Sequence, residues 1–265
     1  MDDQPPITAA ELERQVRQHA ESLRAAGVAF LPAVTALTLP VIAVRPSERG
    51  TTATAAPVPV EQPATEETSS MKSGAKRQQE LQVLRERVAA CERCPQLAST
   101  RTQTVFGVGP LDPDLCFIGE APGADEDKQG EPFVGAAGQL LNKIIAAMGM
   151  KREEVYICNI LRCRPPGNRL PNADEAAHCR EYLEGTLALV RPKHICALGA
   201  CAAQNLLATT TAIGKLRGRF QMFKDIPVLC TFHPAYLLRS PERKKDVWED
   251  MKMLLAKMGR AVPGK

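Results

Sequence analysis

Leu115-Cys116-Phe117-Ile118-Gly119-Glu120-Ala121-Pro122-Gly123-Ala124-Asp125-Glu126-Asp127 opens on an apolar run and passes at once into a loop. The run reads as a short buried strand. The loop extends through Pro132-Phe133-Val134-Gly135, and Gln139-Leu140-Leu141-Asn142-Lys143-Ile144-Ile145 beyond it reads as a helix. Between residues 119 and 135 lie four glycines, two prolines and five acids. Glycine lets backbone approach a ligand closely, and proline stiffens the path. In an open α/β sheet, ligands sit beyond the carboxyl ends of the strands, which is where this loop falls.

Outward from that stretch the same pattern repeats. Short apolar, partly β-branched runs at 155–159, 194–198 and 228–231 predict three more strands. Helices are expected at about 77–90, 138–148, 173–190, 200–207 and 244–258, and Asn172 with Glu175 forms a capping box before the third of these. Strands alternating with helices imply an α/β fold with three layers, αβα, around a mostly parallel four-stranded sheet.

The N-terminal part differs. Thr8 and Glu11 make a capping box for a helix over 8–26 that stops at Gly27. Leu12, Val16, His19 and Leu23 alternate at spacings of four and three, a short seam that suits either its own domain or a partner helix. Prolines at 32, 40, 46, 57, 59 and 63 among Ala, Thr, Val and Glu read as a flexible linker. The expected organisation is an N-terminal helix in 1–30, a linker over 31–74 and an α/β domain over 75–262. The helix on its linker is a candidate tether for a protein partner.

Charge follows the same division. Residues 1–70 carry five basic and nine acidic side chains, residues 71–265 carry 29 and 21, and the whole chain is +4. A basic body suits a polyanion. No run of apolar residues is long enough for a membrane span, and Met1-Asp2-Asp3-Gln4 lacks the basic-then-apolar order of a signal peptide. A cytoplasmic monomer is expected. Nine cysteines in such a compartment read as thiols and metal ligands rather than disulfides.

Cys91 and Cys94 form C-x2-C, Cys163 follows a strand, and Cys179 lies on the next helix. Four such thiols suit a zinc ion or an iron–sulfur cluster, and spacing alone leaves both open. Cys116, Cys158, Cys196, Cys201 and Cys230 fall in or beside strands and read as small core residues.

Three further side chains end near the edge where the loop lies: Asn159 closes one strand, His233 follows another, and Phe133 sits in the loop. An amide can read a base edge with both donor and acceptor. A ring can stack on the base, and a histidine can donate to an oxygen that gains negative charge. Singly, each has an ordinary reading as turn, core or satisfied polar residue. Arg162, Arg164, Arg169, Lys215, Arg217, Arg219 and Arg239 lie in loops at the same edge and suit phosphates.

These residues strongly resemble family 4 uracil-DNA glycosylases, the iron–sulfur branch of the uracil-DNA glycosylase superfamily, over about residues 80–258. The matching motifs are Arg101-Thr102-Gln103-Thr104-Val105-Phe106-Gly107, Gly119 to Leu141, Asn159 with Cys163-Arg164-Pro165-Pro166-Gly167-Asn168-Arg169, and His233-Pro234-Ala235-Tyr236-Leu237-Leu238-Arg239. The resemblance implies a DNA-repair hydrolase that flips uracil out of single- or double-stranded DNA and cleaves its N-glycosidic bond. It implies a [4Fe–4S] cluster on Cys91, Cys94, Cys163 and Cys179. Phe133 would stack on uracil, Asn159 would read its polar edge, and backbone of Glu120, Ala121 and Gly123 would contact its carbonyls. His233 would stabilise the leaving base.

Glu126, or else Glu120, would orient the attacking water, because Ala121 stands where the best-studied branch carries an aspartate. Arg164, Lys215, Arg217 and Arg239 would grip DNA, with Leu237 or Leu238 as a wedge. A related branch traps its product covalently through a histidine in the loop after the asparagine strand. Residues 162–171 hold no histidine, so turnover without a trap is expected. The alternative is a metal-stabilised DNA-binding module without catalysis.

Overall fold

The computed structural model describes residues 66–264. The expected helix over 8–26, and the proline-rich segment up to residue 65, lie outside the described residues.

In chain order the elements are α1 (Glu66–Ala89), α2 (Pro95–Thr100), β1 (Leu115–Gly119), α3 (Ala124–Gln129), α4 (Ala136–Ala147), β2 (Tyr156–Asn159), α5 (Ala173–Val190), β3 (His194–Leu198), α6 (Gly199–Leu207), α7 (Ile213–Leu216), β4 (Phe220–Phe223), β5 (Ile226–Thr231), α8 (Pro234–Arg239) and α9 (Lys244–Lys257). α1 starts well before the expected residue 77, so residues 66–74 are helix rather than the end of a linker.

The sheet has five strands in the order β2-β1-β3-β5-β4, not four. β2, β1, β3 and β5 run parallel, and β4 adds an antiparallel edge by pairing Phe220 with Leu229 and Phe223 with Ile226. β1 to β5 are short because each needs only to cross a two-faced core. Alternate side chains serve opposite faces. Cys116, Ile118, Cys158 and Ile195 pack with Leu84 and Val88 of α1, Leu183 and Leu187 of α5 and Ala203 of α6. Leu115, Phe117, Ile157 and Leu229 pack with Leu141 and Ile145 of α4 and with Met251 and Leu254 of α9. Cys116, Cys158, Cys196 and Cys230 are fully buried there, as expected of core cysteines.

Register places the site. Gly119 pairs with Asn159, Ile118 with Ala197, and Leu198 with Thr231, so the parallel strands end on one level. The chain leaves β1 for β2 on one side and later returns to β3 on the other. That reversal opens a crevice at the carboxyl ends. Among the described residues, no helix is long and apolar enough to cross a membrane.

Candidate active site

A cavity of about 210 Å³ occupies this crevice, lined by Glu120, Gly123, Glu126, Phe133, Asn159, Asn168 and His233, among others. A larger cleft of about 500 Å³ lies between α5 and α6. We place the site in the smaller one, because there polar side chains from four separate loops and strand ends converge.

Asn159 is 2% exposed, and its Oδ1 is buried without a hydrogen-bond partner. A buried orphan acceptor costs roughly 1–3 kcal/mol, which a ligand N–H would recover. Gly119 makes room for it: a Cβ there would collide with Asn159 Oδ1 and with the Phe133 ring. Phe133 itself holds φ +54°, a conformation that costs a bulky residue about 1–2 kcal/mol. It is tolerated because Gly138, under the turn, has no Cβ to strike the Phe133 carbonyl. The Phe133 and His233 rings lie 5.6 Å apart at 32°, forming two adjoining walls.

His233 is the N-cap of α8, with Pro234 in the first turn. Its Nδ1 accepts from the Ala235 backbone N–H at 3.1 Å. That bond fixes the tautomer, leaving Nε2–H as the ring's free donor. Burial, with a smaller push from Arg239, lowers the imidazole pKa to about 4. The group is therefore a neutral donor at physiological pH.

The two acids differ. Glu126 accepts from the backbone N–H groups of Gly123 (3.0 Å), Val134 (2.9 Å) and Gly135 (3.0 Å). It ties the two halves of the loop together and caps α3. Glu120 has the Cys201 thiol beside it, and burial raises its pKa. Cys201, expected as a core residue, is instead half-buried on the first turn of α6, where Asn205 Nδ2 donates to its Sγ at 3.5 Å.

Cys91, Cys94, Cys163 and Cys179 line a second cavity together with Leu97, Arg101, Arg162 and His178. α1 and α2 bracket the first pair, the loop after β2 brings Cys163, and α5 brings Cys179. Arg101 Nη1 donates to Cys163 Sγ at 3.2 Å, and His178 Nδ1 lies 3.6 Å from Cys94 Sγ. Burial pushes the Cys179 thiol up to about 11. Among the described residues, no three His, Cys, Asp or Glu side chains gather round a single-ion position. The four thiols line one cavity.

Residues 106–252 match the family described as the Uracil DNA glycosylase superfamily. A type-4 uracil-DNA glycosylase of Thermotoga maritima is 42% identical over 179 residues, covering 66% of this chain and 93% of the relative. One from Archaeoglobus fulgidus is 40% identical over 184 residues, 66% of this chain and 92% of the relative. A type-5 uracil-DNA glycosylase of Pyrobaculum aerophilum is 29% identical over 184 residues, 57% of this chain and 80% of the relative. This chain belongs to the uracil-DNA glycosylase superfamily, in its type-4 branch.

Four expectations for the DNA-facing residues of this superfamily member change, one of them for Arg169, which is held by Glu175 and Gln96. Leu237 is 1% exposed and packs into the core beneath α8, whereas Leu238 is 47% exposed. A wedge must leave the protein surface, so Leu238 alone remains a candidate. Arg217 donates through Nε to Asp250 (3.1 Å) and through Nη2 to the Asp246 carbonyl, and it covers the Phe232 ring. It braces the strand end behind His233 instead of facing a phosphate. Arg162, also read as a loop cation, is 1% exposed, with Nη1 on the Phe106 carbonyl and Nη2 on Thr186 Oγ1.

Lys215, Arg219 and Arg239 are exposed. Arg164 is half-buried and donates to Asn168 Oδ1 at 2.8 Å. Asn168 itself, with φ +54°, lines the cavity, a position quoted within a sequence motif but given no role there.

Proposed function

We propose that this protein excises uracil from DNA by hydrolysing the N-glycosidic bond, leaving an abasic site. The observation that carries this reading is that Asn159 lines the cavity while its Oδ1 is left without a hydrogen-bond partner. Uracil offers a donor, N3–H, next to an acceptor, O4. An amide held edge-on can take the first on Oδ1 and donate to the second from Nδ2. Phe133 supplies the stacking face.

The nucleotide must first leave the duplex, which costs a few kcal/mol. Lys215, Arg219, Arg239 and Arg164 hold the phosphates, and Leu238 fills the gap in the stack. As the glycosidic bond stretches, the sugar becomes cationic and the base anionic. His233 Nε2–H donates to the developing oxyanion. A neutral donor whose direction is already fixed helps because it binds the anion better than it binds neutral uracil. Glu120, rather than Glu126, orients the attacking water: it lines the cavity and its carboxylate takes no backbone donor, while that of Glu126 serves three.

The four-cysteine cavity holds a [4Fe–4S] cluster in this reading. Four soft thiols lining one cavity suit the iron–sulfur cluster that the type-4 likeness implies. The cluster supplies a cross-link between α1, α2, the loop after β2 and α5, and takes no part in bond cleavage. In this reading the protein acts as a monomer. The glycosylase domain of this reading starts with α1 at Glu66, ahead of the expected residue 75, and ends near residue 262.

The test is uracil release from an oligonucleotide, single-stranded or paired with adenine or guanine, followed by alkaline cleavage at the abasic site. Product exceeding enzyme on a molar basis supports a turning-over glycosylase without a covalent trap. Tight binding with no release would favour a DNA-binding module instead.

A further inference from the structure

Six large apolar side chains are prominently exposed among the described residues: Val83, Val108, Leu170, Met222, Leu238 and Val262. Scattered single apolar residues are ordinary on a protein surface. The two leucines are not scattered. Leu170 follows Asn168 and Arg169, which line the cavity, and Leu238 comes three residues after Ala235, which also lines it. Leu170 is the most exposed of the six, at 68%.

The backbone carrying Leu170 is braced. Arg169 donates from Nη1 to the Leu170 carbonyl (3.0 Å), and from Nη1 and Nη2 to Glu175 (2.9 and 2.6 Å). Its Nη2 also donates to Gln96 Oε1 at 2.9 Å. Glu175 in turn accepts from the Asn172 N–H at 2.8 Å. Pro171 removes a donor on the far side and holds Leu170 extended. An apolar side chain is thus held out into water on a rigid rim, although nothing in the fold needs it there.

We propose that Leu170 is a second apolar contact to DNA, separate from Leu238, that packs on a base face exposed when the nucleotide leaves a duplex. This rests on the glycosylase reading. Flipping leaves the partner base of a duplex orphaned, and its uncovered face is the apolar surface available to Leu170 at this rim. Leu170 acts on duplex substrates only, because a single strand has no partner base to cover. Its contribution is greatest where opening costs most, at uracil paired with adenine rather than mismatched with guanine.

The experiment uses the full-length, iron-loaded protein. Single-turnover uracil release is measured on a single strand, on the uracil–guanine duplex and on the uracil–adenine duplex, for wild type, Leu170→Ala and Leu170→Met. Leu170→Ala is expected to slow the uracil–adenine duplex about tenfold, the scale of losing one buried leucine side chain. The guanine duplex should slow less, and the single strand should change less than about twofold, with Leu170→Met close to wild type. Equal rates on all three substrates, or an equal fall on all three, would overturn the role of Leu170. No release by wild type on any substrate would instead overturn the glycosylase reading itself.

Discussion

His233 shows how one backbone bond sets a side chain's chemistry. Because Ala235 N–H occupies Nδ1, the proton of the neutral ring sits on Nε2. Burial lowers the pKa from 6.5 to about 4, so folding favours the neutral form. The stability this contributes is complete above about 6.5 and is lost as pH falls toward 4. A pH–rate profile for single-turnover excision should therefore show no loss from His233 between pH 7 and 5, and a fall only near 4. A limb near 6.5 that vanishes in His233→Gln would contradict this.

Removing a donor aimed at a developing anion typically costs about a hundred- to thousandfold. That loss is expected for His233→Ala and for Asn159→Ala, measured as rate at saturating enzyme. Near-wild-type rates in both would take them out of the mechanism.

The acids separate by the kind of damage. Glu120→Gln should lower the rate while leaving thermal stability nearly unchanged. Glu126→Gln should lower stability by about 1–3 kcal/mol, since one amide cannot accept all three backbone donors as a carboxylate does. A reversed pattern, followed by thermal melts beside kinetics, would exchange their roles.

At the scale of elements, the strands of the parallel sheet were legible because each is a short apolar run between loops, and a two-sided core demands that pattern. β4 was not. Phe220-Gln221-Met222-Phe223 is only partly apolar, and pairing with β5 decides its conformation. Leu237 and Leu238 differ only by helical phase in α8, which the sequence leaves open until Pro234 and Leu237 are seen to face the core. Glu126 read as a water-orienting acid and Arg217 as a DNA contact because their partners, backbone N–H groups 8–9 residues on and Asp250 on α9, are set by tertiary structure. The cysteine set and Asn159, Phe133 and His233 were legible, since strand ends fix where a loop begins.

The cysteine cavity also belongs to this scale, because it brings together α1, α2, the loop after β2 and α5. On the proposed cluster assignment, Cys163→Ala removes the thiol that links the loop after β2 to α1 and α5. That variant should lose its iron-dependent visible absorbance and fold poorly. Normal iron content, determined by metal analysis, would remove Cys163 from the ligand set.

Across the whole molecule, the excess of positive charge resides in the part that carries the site: residues 71–265 hold 29 basic and 21 acidic side chains. Not all of the basic residues are available to DNA. Arg77 pairs with Asp112, Arg169 with Glu175, Arg217 with Asp250 and Arg260 with Asp114. Those pairs cancel locally and brace loops. Lys215, Arg219 and Arg239 are exposed, and Arg239 follows the cavity-lining Ala235 by one helical turn.

A cation that replaces a counterion on a phosphate reveals itself by salt dependence, not by affinity at one ionic strength. Arg239→Ala should therefore weaken DNA binding at low salt and reduce the slope of log K against log salt by roughly 0.7–0.9, the scale for one phosphate contact on single- or double-stranded DNA. Arg217→Ala should leave that slope unchanged while lowering the melting temperature, because its guanidinium is held by Asp250 and the Asp246 carbonyl. The measurement is a fluorescence-anisotropy titration with an abasic-product duplex across a series of salt concentrations. An unchanged slope for Arg239→Ala, or a reduced one for Arg217→Ala, would mean that the paired arginines, not the exposed ones, meet the phosphates, and that the braces open when DNA arrives.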